Sequence, residues 1–406
     1  MRKQLYIIGA GTGAKDFLTQ RGLQLLKSCE VVYSSSKRLS EQLQAVRGNI
    51  IESSVTHMQQ EIAESKSRLI GILVSGDTGF FSITKTLVEQ FSESCDIEVI
   101  CGISSMQYFC SKLHISYENM KVVSLHGREN SILGAVSYNP KVFVLTGGNN
   151  KAQVVCRNLL DNGLGELRVT AGENLSMPNE RIIKGSAKEL SEYTFDDLTV
   201  LLIENNNFVN SYLPLYDGDF IRGDVPMTKE EIRFVTLSKL AVEPHDIVYD
   251  IGAGTGSIAI EMARKAYAGC VYAIEQKEAA VELINQNRIR LGAFNVLSIY
   301  GKAPEALLNL PRPNKAFIGG SSGNLDEIVN LLMEKNPNIK LAANAITLET
   351  LNEAVTAFEK HGFKTDIVCL NVSAAKKVGG YHMMIANNPV YIITGKAVNG
   401  KAVNGE

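Results

Sequence analysis

No two cysteines in this 406-residue sequence have the C-x-x-C spacing, and the seven that occur are scattered along the chain. This usage is typical of a reducing compartment and argues against both a disulfide framework and a zinc knuckle. No apolar run reaches the length of about 18 residues that a membrane-spanning helix needs. The N-terminus, MRKQLYIIGAG, leads directly into a glycine turn and lacks the apolar core of a secretory signal. We therefore expect a cytoplasmic protein with no membrane partner.

An excess of one charge and clustered metal ligands are also missing. The formal net charge is −2, so no basic excess predicts a nucleic-acid partner. We expect no metal site, because the histidines are dispersed: His57, His114, His126, His245, His361 and His382. The composition, with 45% hydrophobic and 21% charged residues, is ordinary for a globular protein. A chain of 406 residues exceeds the usual size of a single core and predicts two or three domains.

The most informative stretch spans residues 247–275 and reads IVYDIGAGTGSIAIEMARKAYAGCVYAIE. An apolar run containing Asp250 precedes glycines at positions 252, 254 and 256, then a segment with helical apolar spacing, and a second apolar run that ends at Glu275. This order predicts strand, tight turn, helix and strand. Glycines let the backbone turn sharply and approach a ligand closely, and the helix N-terminus offers unpaired N–H groups. Since an acid about 20 residues beyond such a turn suits a ribose diol, we predict a nucleoside site.

Two ligand classes share this pattern. Dinucleotide enzymes use G-x-G-x-x-G, and the third glycine position is Ser257 here, which disfavours a dehydrogenase. The D-x-G-x-G-x-G form followed by Glu275 resembles motif I and the ribose acid of the class I S-adenosylmethionine-dependent methyltransferases. Two further alternatives are an ordinary strand-to-helix turn without a ligand and a nucleotide-sensing module without turnover.

Three strand-like runs in the N-terminal part end in turns of glycine and small polar residues, at Gly9–Gly13, Gly76–Gly79 and Gly102–Ser105. The alternation of such strands with helical patterns predicts an α/β fold with a largely parallel sheet. The carboxyl ends of parallel strands share one edge, where ligands bind. Each turn alone is equally explained as a simple connection, but together they outline one cleft.

Five segments of this half occur in the order found in the tetrapyrrole (corrin/porphyrin) methylases: LYIIGAGTG, SGDTGFFS, CGISSMQYF, SLHGR and GENLSMPNE. The resemblance covers about residues 4–203 and implies a two-lobed α/β fold that holds S-adenosylmethionine between its lobes. SLHGR and GENL are similar to the branch that methylates C5 of a corrin precursor. Thr12 and Thr78 stand where the family usually has proline, so the loop geometry is expected to differ slightly.

The same resemblance implies roles for individual residues. The methyl donor would contact Gly76, Asp77, Thr78, Ser104 and Ser105. The tetrapyrrole would face Gly9, Gly11 and Gly13. Substrate carboxylates would pair with His126 and Arg128, since a guanidinium fork matches a carboxylate; the alternative is a strand-end pair that satisfies local backbone groups. Glu173 is either a site residue or a solvated loop acid.

The second half contains VPMTKEEIR, the glycine motif, AIEQ, GKAPEAL and AFIGGSSGNL, in the order found in enzymes that methylate C15 and decarboxylate the C12 acetate of the corrin precursor. This resemblance implies donor contacts from Thr228, Gly252, Ala253, Gly254, Thr255 and Gly256, from Glu275 to the ribose, and from the Ala303 backbone to the adenine. Ser321 would border the substrate. Arg233 would pair with a substrate carboxylate or lie on a solvated helix face. Thr228 and Glu231 have capping-box spacing for a helix over residues 228–240.

Together the resemblances predict a tetrapyrrole methylase domain at residues 1–205, with lobes of about 1–112 and 113–205, and a class I Rossmann-like S-adenosylmethionine methyltransferase domain at 223–395. Turn-forming residues predict a linker at 206–222, and a GKAVN tandem at 395–404 makes up most of the tail at 396–406. The expected protein is a bifunctional methyltransferase of cobalamin biosynthesis. It would have two S-adenosyl-L-methionine sites, a tetrapyrrole substrate with or without cobalt, and a homo-oligomeric state. The alternative is a two-domain methyltransferase acting on another tetrapyrrole or small molecule.

Overall fold

The computed structural model describes residues 2–126 and 131–397. Arg128 and most of the GKAVN tandem lie outside these ranges. The chain divides into two compact units, and the first holds the described residues up to Ile203, except 131–140 and 161–164, which group with the second. None of the helices within the described ranges is long and apolar enough to cross a membrane.

The first unit begins with a five-stranded parallel sheet. Its strands are β1 (Lys3–Gly9), β2 (Val31–Ser34), β3 (Ile51–Glu52), β4 (Leu69–Val74) and β5 (Cys95–Ile100). The order is β3-β2-β4-β1-β5, so β4 and β5 flank β1. β4 is a continuous apolar run with five of its six residues buried, as expected for a strand covered on both faces. The intervening helices are α1 (Gln20–Ser28), α2 (Lys37–Leu43), α3 (Val55–Glu64), α4 (Thr84–Phe91) and α5 (Ser105–Leu113).

A second five-stranded sheet completes this unit. It contains β6 (Lys121–Ser124), β7 (Lys141–Leu145), β8 (Arg168–Glu173), β9 (Arg181–Ser186) and β10 (Thr199–Glu204), in the order β6-β7-β10-β8-β9. The helices of this part of the chain are α6 (Ile132–Tyr138), α7 (Ala152–Asp161) and α8 (Ala187–Leu190), of which α6 lies in the stretch that groups with the second unit. β8 and β9 are antiparallel, whereas β6 and β7 are parallel. The predicted two-lobed α/β fold is confirmed, with one sheet in each lobe.

The second unit is built on a seven-stranded sheet. Its strands are β11 (Ile247–Ile251), β12 (Cys270–Glu275), β13 (Val296–Tyr300), β14 (Lys315–Ile318), β15 (Lys340–Ala345), β16 (Phe363–Leu370) and β19 (Val390–Ala397). The order is β13-β12-β11-β14-β15-β19-β16, with β19 antiparallel to both neighbours. A separate hairpin is formed by β17 (Ser373–Val378) and β18 (Tyr381–Ala386). The helices are α9 (Glu230–Leu240), α10 (Ser257–Lys265), α11 (Glu278–Arg290), α12 (Leu325–Lys335) and α13 (Leu348–Lys360).

Helices cover both faces of this sheet. Tyr249 and Ile251 of β11 belong to a buried cluster with α12 and α13, while Val248 belongs to a second cluster with α9, α10 and α11. Both faces of β11 are therefore apolar, which is why its sequence reads as a nearly continuous hydrophobic run. The predicted Rossmann-like α/β class is confirmed.

The stretch predicted as a linker, residues 206–222, packs on the second unit instead. Leu215 and Phe220 are buried in the cluster that contains α9 and α10. The apolar residues of this stretch are interrupted by asparagine, proline, glycine and aspartate and show neither helical nor strand periodicity, so its sequence resembles a connector although two side chains anchor it.

The predicted capping box at the start of α9 is wrong. The helix begins at Glu230, its N-cap residue is Lys229, and no side chain caps it. Thr228 is thus outside the helix and free to line the pocket described next. At the other end of the unit, β19 continues through Ala397, two residues beyond the predicted domain boundary.

Candidate functional site

The ligand site of the second unit lies where its strand order reverses, at the carboxyl ends of β11 and β14. On one side of this point the sheet continues from β11 to β12 and β13, and on the other side it continues from β14 to β15. The loops that follow β11 and β14 therefore diverge and leave a crevice between them. A cavity of about 440 Å³ occupies the crevice. Its lining comes from the segment at the start of α9 and from the segments that follow β11, β12, β13, β14 and β15.

The glycine turn after β11 shapes one wall of this cavity. Gly252 has a φ of +73°, and a Cβ atom there would lie 2.8 Å from the backbone nitrogen of Gly320 in the loop after β14. A side chain at this position would therefore force the two loops apart. α10 begins directly after the turn, with Gly256 as its N-cap residue, and points its unpaired N–H groups toward the carboxyl edge of the sheet. The predicted sequence of strand, turn and helix is confirmed.

Asp250 is the unusual acid of the site. Its side chain is 1% exposed and lines the cavity, and neither carboxylate oxygen has a hydrogen-bond partner among the residues described. Burial raises its pKa to about 8; the backbone N–H of Ala259 opposes this rise, and the nearby negative charge of Glu275 adds to it. A buried carboxylate with so little compensation is costly. This acid therefore fits a cationic ligand group, such as the ammonium of the methionine part of S-adenosylmethionine.

Glu275 ends β12 on the same cavity wall. Its Oε2 accepts a hydrogen bond from the Gly254 backbone N–H at 3.0 Å, and its Oε1 accepts one from the Lys277 backbone N–H at 3.0 Å. These bonds fix the carboxylate against the glycine turn. Because a carboxylate offers about four acceptor positions, it retains capacity for the two hydroxyls of a ribose.

The remaining residues predicted for this site are mostly gathered around the cavity. Its lining includes Thr228, Gly252, Ala253, Gly254, Thr255, Glu275, Ala303 and Ser321. The Thr255 hydroxyl is buried and has no partner within the described part of the chain. Gly256 is absent from the lining, since it serves as the helix cap.

Sequence reasoning missed several polar residues that line this cavity, among them Asn344 and Lys302. Asn344 lies near the end of β15, and its side chain forms a hydrogen bond of 3.1 Å with the Thr236 hydroxyl. Lys302 follows β13 and contributes a cation to the wall. The available signal for Asn344 was its place at the carboxyl end of an apolar run, the same signal that identified the other turns.

The predicted role of Arg233 is corrected. Arg233 is fully buried and does not line the cavity, so it neither reaches a substrate nor lies on a solvated face. Its guanidinium donates to the backbone oxygens of Leu215 and Thr228, and it forms an ion pair with Asp217 at 3.2 Å. Arg233 therefore holds the segment before α9 against the second unit. The segment that covers it was interpreted as a linker, which is why its burial was not predicted.

In the first unit, the three predicted turns do meet at one edge of the sheet. Gly11 and Gly76 exchange two backbone hydrogen bonds, of 3.1 and 2.9 Å, across the turns after β1 and β4. Asp77 joins the second and third turns, because its carboxylate accepts from the Gly79 and Gly102 backbone N–H groups at 2.9 and 3.0 Å. The expectation that these turns outline one cleft is confirmed.

A cavity of about 250 Å³ lies beside these turns. Of the residues predicted for the first unit, Gly11, Gly76, Ser105 and His126 line it. Gly9, Gly13, Asp77, Thr78 and Ser104 do not line it, although they belong to the same turns. Ser104 caps α5 through a capping box with Gln107. Arg128 lies outside the described residues, and Arg38 was not predicted but lines the cavity.

Both interpretations of Glu173 are corrected. Glu173 is fully buried in β8 and is absent from the cavity lining. Its Oε2 accepts from Arg181 at 2.5 Å, and its Oε1 accepts from the Asp196 backbone N–H at 2.6 Å. It is an acid that joins β8 to β9 and to the segment before β10.

The doubly wound sheet with one antiparallel strand, together with the Asp250–glycine turn–Glu275 arrangement, defines the second unit as a class I S-adenosylmethionine-dependent methyltransferase. A family model described as "Precorrin methyltransferase domain" matches residues 219–396, and one described as "Tetrapyrrole (Corrin/Porphyrin) Methylases" matches residues 4–191. The chain belongs to the precorrin methyltransferase family. Family membership implies S-adenosylmethionine as the methyl donor, and it excludes the dehydrogenase alternative.

Individual relatives cover one half or nearly all of the chain. The probable cobalt-precorrin-6B C(15)-methyltransferase (decarboxylating) of Methanocaldococcus jannaschii is 39% identical over 178 residues, which are 44% of this chain and 94% of that protein. The precorrin-6Y C(5,15)-methyltransferase [decarboxylating] of Sinorhizobium sp is 28% identical over 390 residues, which are 93% of this chain and 92% of that protein. A solved structure of precorrin-6y C5,15-methyltransferase from Geobacter metallireducens GS-15 is 37% identical, covers 45% of this chain and 98% of its own, and has a TM-score of 0.44. The predicted enzyme class, methyltransferase, is confirmed.

Proposed function

We propose that this chain adds methyl groups at C5 and C15 of a corrin precursor and removes the carboxylate of its C12 acetate, as the name of the Sinorhizobium relative states for that protein. The observation that carries the proposal is the presence of one cavity in each unit, each beside the carboxyl ends of parallel strands. We assign the C5 step to residues 1–205, and the C15 step with decarboxylation to residues 223–395. Each part would then bind its own donor molecule.

In the second unit, the donor would be held between the glycine turn and the end of β12. Asp250 would accept hydrogen bonds from its ammonium group, which gives the two unpartnered carboxylate oxygens a partner. Glu275 would bind the ribose, and the Ala303 backbone the adenine; both residues line the same cavity. Thr228, Ala253 and the turn would contact the methionine part. When bound, the donor supplies an electrophilic methyl group.

The rest of this cavity would receive the substrate. Ser321 and Asn344 provide polar groups there, and Phe317, Ile346 and Val390 provide an apolar surface. These residues would orient the conjugated ring and exclude water, which is the main requirement when the reacting carbon is already electron-rich. In the decarboxylation, the bond to the carboxylate breaks, its electron pair enters the conjugated ring, and carbon dioxide leaves; a proton from water then adds to the carbon that carried the carboxylate and completes its methyl group. Neither step requires a strong general base.

In the first unit, the donor would lie against the turns after β4 and β5, with contacts from Gly76, Asp77, Thr78, Ser104 and Ser105. Asp77 already joins these turns through backbone N–H groups, so it would act by holding the loop shape. The turn at Gly9–Gly13 and the side chain of His126 would face the tetrapyrrole. The bonds between Gly11 and Gly76 place the substrate turn directly against the donor turn.

We also propose that the protein is a homo-oligomer. Every residue of the hairpin strands β17 and β18 is exposed, including Tyr381 at 80% and Met384 at 65%. Large apolar side chains on a fully exposed hairpin are typical of an interface, and we assign this interface to a second copy of the chain. Replacing Tyr381 and Met384 by serine should lower the mass measured by analytical ultracentrifugation. An unchanged mass, or a monomeric wild type, would contradict this assignment.

The proposed function is tested by incubating the purified chain with S-adenosylmethionine and metal-free or cobalt-bearing precorrin, followed by mass spectrometry. Transfer of methyl groups to one of the two forms supports the proposal and decides whether the substrate carries cobalt. Transfer to neither form, combined with transfer to another tetrapyrrole, would favour the alternative of a different substrate. A sensor without turnover would bind the donor but transfer nothing.

A further inference from the structure

Arg38 contributes a cation to the cavity of the first unit. It lies in the first turn of α2, and its guanidinium donates to Gln42 Oε1 at 3.1 Å and to Ser75 Oγ at 3.3 Å. Burial lowers its pKa, and no carboxylate among the residues described offsets this effect. A guanidinium has five N–H donors. The two neutral partners therefore leave both charge and hydrogen-bonding capacity unmatched at the cavity wall.

The substrate-side turn holds this arginine in position. Gly13 has a φ of +109°, and a Cβ atom there would lie 2.2 Å from Gln42 Oε1 and 3.1 Å from Arg38 Nη1. A side chain at this position would displace both groups. Because Gly13 has no side chain, the turn closes directly over the Arg38–Gln42 pair. Arg38 is thus fixed between the turn after β1 and Ser75, the residue that precedes the donor turn.

A second polar group of the same cavity has no partner. The Thr12 hydroxyl is buried and unbonded within the described ranges, and Thr12 lines the cavity together with Arg38, Ser75 and Gly76. In the family that the N-terminal half resembles, proline usually stands at this place and offers no donor. The hydroxyl is therefore a feature of this chain that the shared loop geometry does not explain.

We propose that Arg38, with Thr12 as a second donor, binds a side-chain carboxylate of the substrate and so orients the ring in the first unit. This inference rests on the proposed function, because a corrin precursor carries several such carboxylates. The planar fork of an arginine matches a carboxylate through two parallel hydrogen bonds. Gln42 and Ser75 hold that fork at the edge where the Gly11 and Gly76 turns meet. The carboxylate bound there would set the distance between the ring and the donor turn.

Steady-state methylation of precorrin-6Y by the full chain tests the proposal. In Arg38→Ala, the KM for C5 methylation should rise roughly 10- to 100-fold, the effect of losing a charge-assisted pair. The KM for C15 methylation and the affinity of both donor sites should stay unchanged. Arg38→Lys should recover only part of the loss, because an ammonium lacks the fork, and Thr12→Val should raise KM less than Arg38→Ala does. Arg21→Ala is the matched control, since Arg21 pairs with Glu98 at 3.1 Å on the surface of the same unit.

A binding measurement separates this proposal from the proposed function. A fluorescent porphyrin with free carboxylates should bind the wild type more tightly than its methyl ester does, and Arg38→Ala should lose that preference. An unchanged preference in Arg38→Ala, no preference in the wild type, or an unchanged KM for C5 methylation would overturn the role of Arg38. Absence of methyl transfer to any precorrin, with the preference for carboxylates intact, would overturn the proposed function alone.

Discussion

Replacing Glu275 by glutamine should remove one of two donor sites. Glu275 is 8% exposed, and its two oxygens are held by the backbone N–H groups of Gly254 and Lys277 at 3.0 Å each. Glutamine keeps one acceptor oxygen but places an NH₂ group against one of these N–H donors and against one ribose hydroxyl. Losing hydrogen bonds to a charged group costs about 1.5–3 kcal/mol each. Two weakened ribose contacts thus correspond to roughly 100-fold or more in affinity at this site.

Isothermal titration with S-adenosylhomocysteine measures this effect directly. The wild type should bind close to two equivalents per chain, and Glu275→Gln should bind one equivalent with unchanged affinity. Glu278→Gln is the control, because Glu278 is exposed on the first turn of α11 and does not line the cavity. A single site in the wild type, or two unchanged sites in Glu275→Gln, would refute the assignment of one donor site to each unit.

Three further predictions concern Asp250, Asp77 and Arg233. The pKa of Asp250 is raised from 3.8 to about 8, so between these values the acid keeps its proton in the folded protein but loses it in the unfolded chain. The free energy of unfolding should therefore fall as pH rises through this range, and Asp250→Asn should flatten that dependence in thermal melts. Binding of the ammonium-bearing donor near neutral pH should release a proton, visible as a binding enthalpy that varies with the buffer in the wild type but not in Asp250→Asn. Asp77→Ala should disorganise the first donor turn, so product mass should show one methyl group gained and carbon dioxide lost; two methyl groups would show that Asp77 is dispensable. Arg233→Met should lower the free energy of unfolding of the second unit by about 3–5 kcal/mol, since it removes the donor to two backbone carbonyls and the ion pair with the buried Glu261, and a denaturation midpoint equal to that of the wild type would contradict this role.

The turns that form both candidate sites were predictable from the sequence. Each one follows a short apolar run, and the carboxyl ends of parallel strands necessarily share one edge of a sheet. The helix after Gly256 and the acid at Glu275 follow the same local logic, because the residues that create the turn are adjacent in the chain. Local patterns therefore predicted which backbone segments meet.

Roles that depend on distant packing were not predictable in this way. Arg233 has the sequence context of a solvated helix face, and only the segment anchored by Leu215 and Phe220 buries it. Glu173 ends an apolar run like the site residues do, but Arg181 on the neighbouring antiparallel strand neutralises it. Arg38 belongs to no turn motif, and its position in the cavity depends on the close approach of Gly13. In each case the deciding partner lies on another element of the fold.

The most direct test of the account is a count of the changes that one purified chain makes to one precorrin molecule. With S-adenosylmethionine carrying an isotopically labelled methyl group, we expect two labelled methyl groups per product, located at C5 and C15 by nuclear magnetic resonance, and one molecule of carbon dioxide released. A product with only one labelled methyl group at saturating donor, or with both methyl groups and no carbon dioxide released, would contradict the assignment of both activities to this chain.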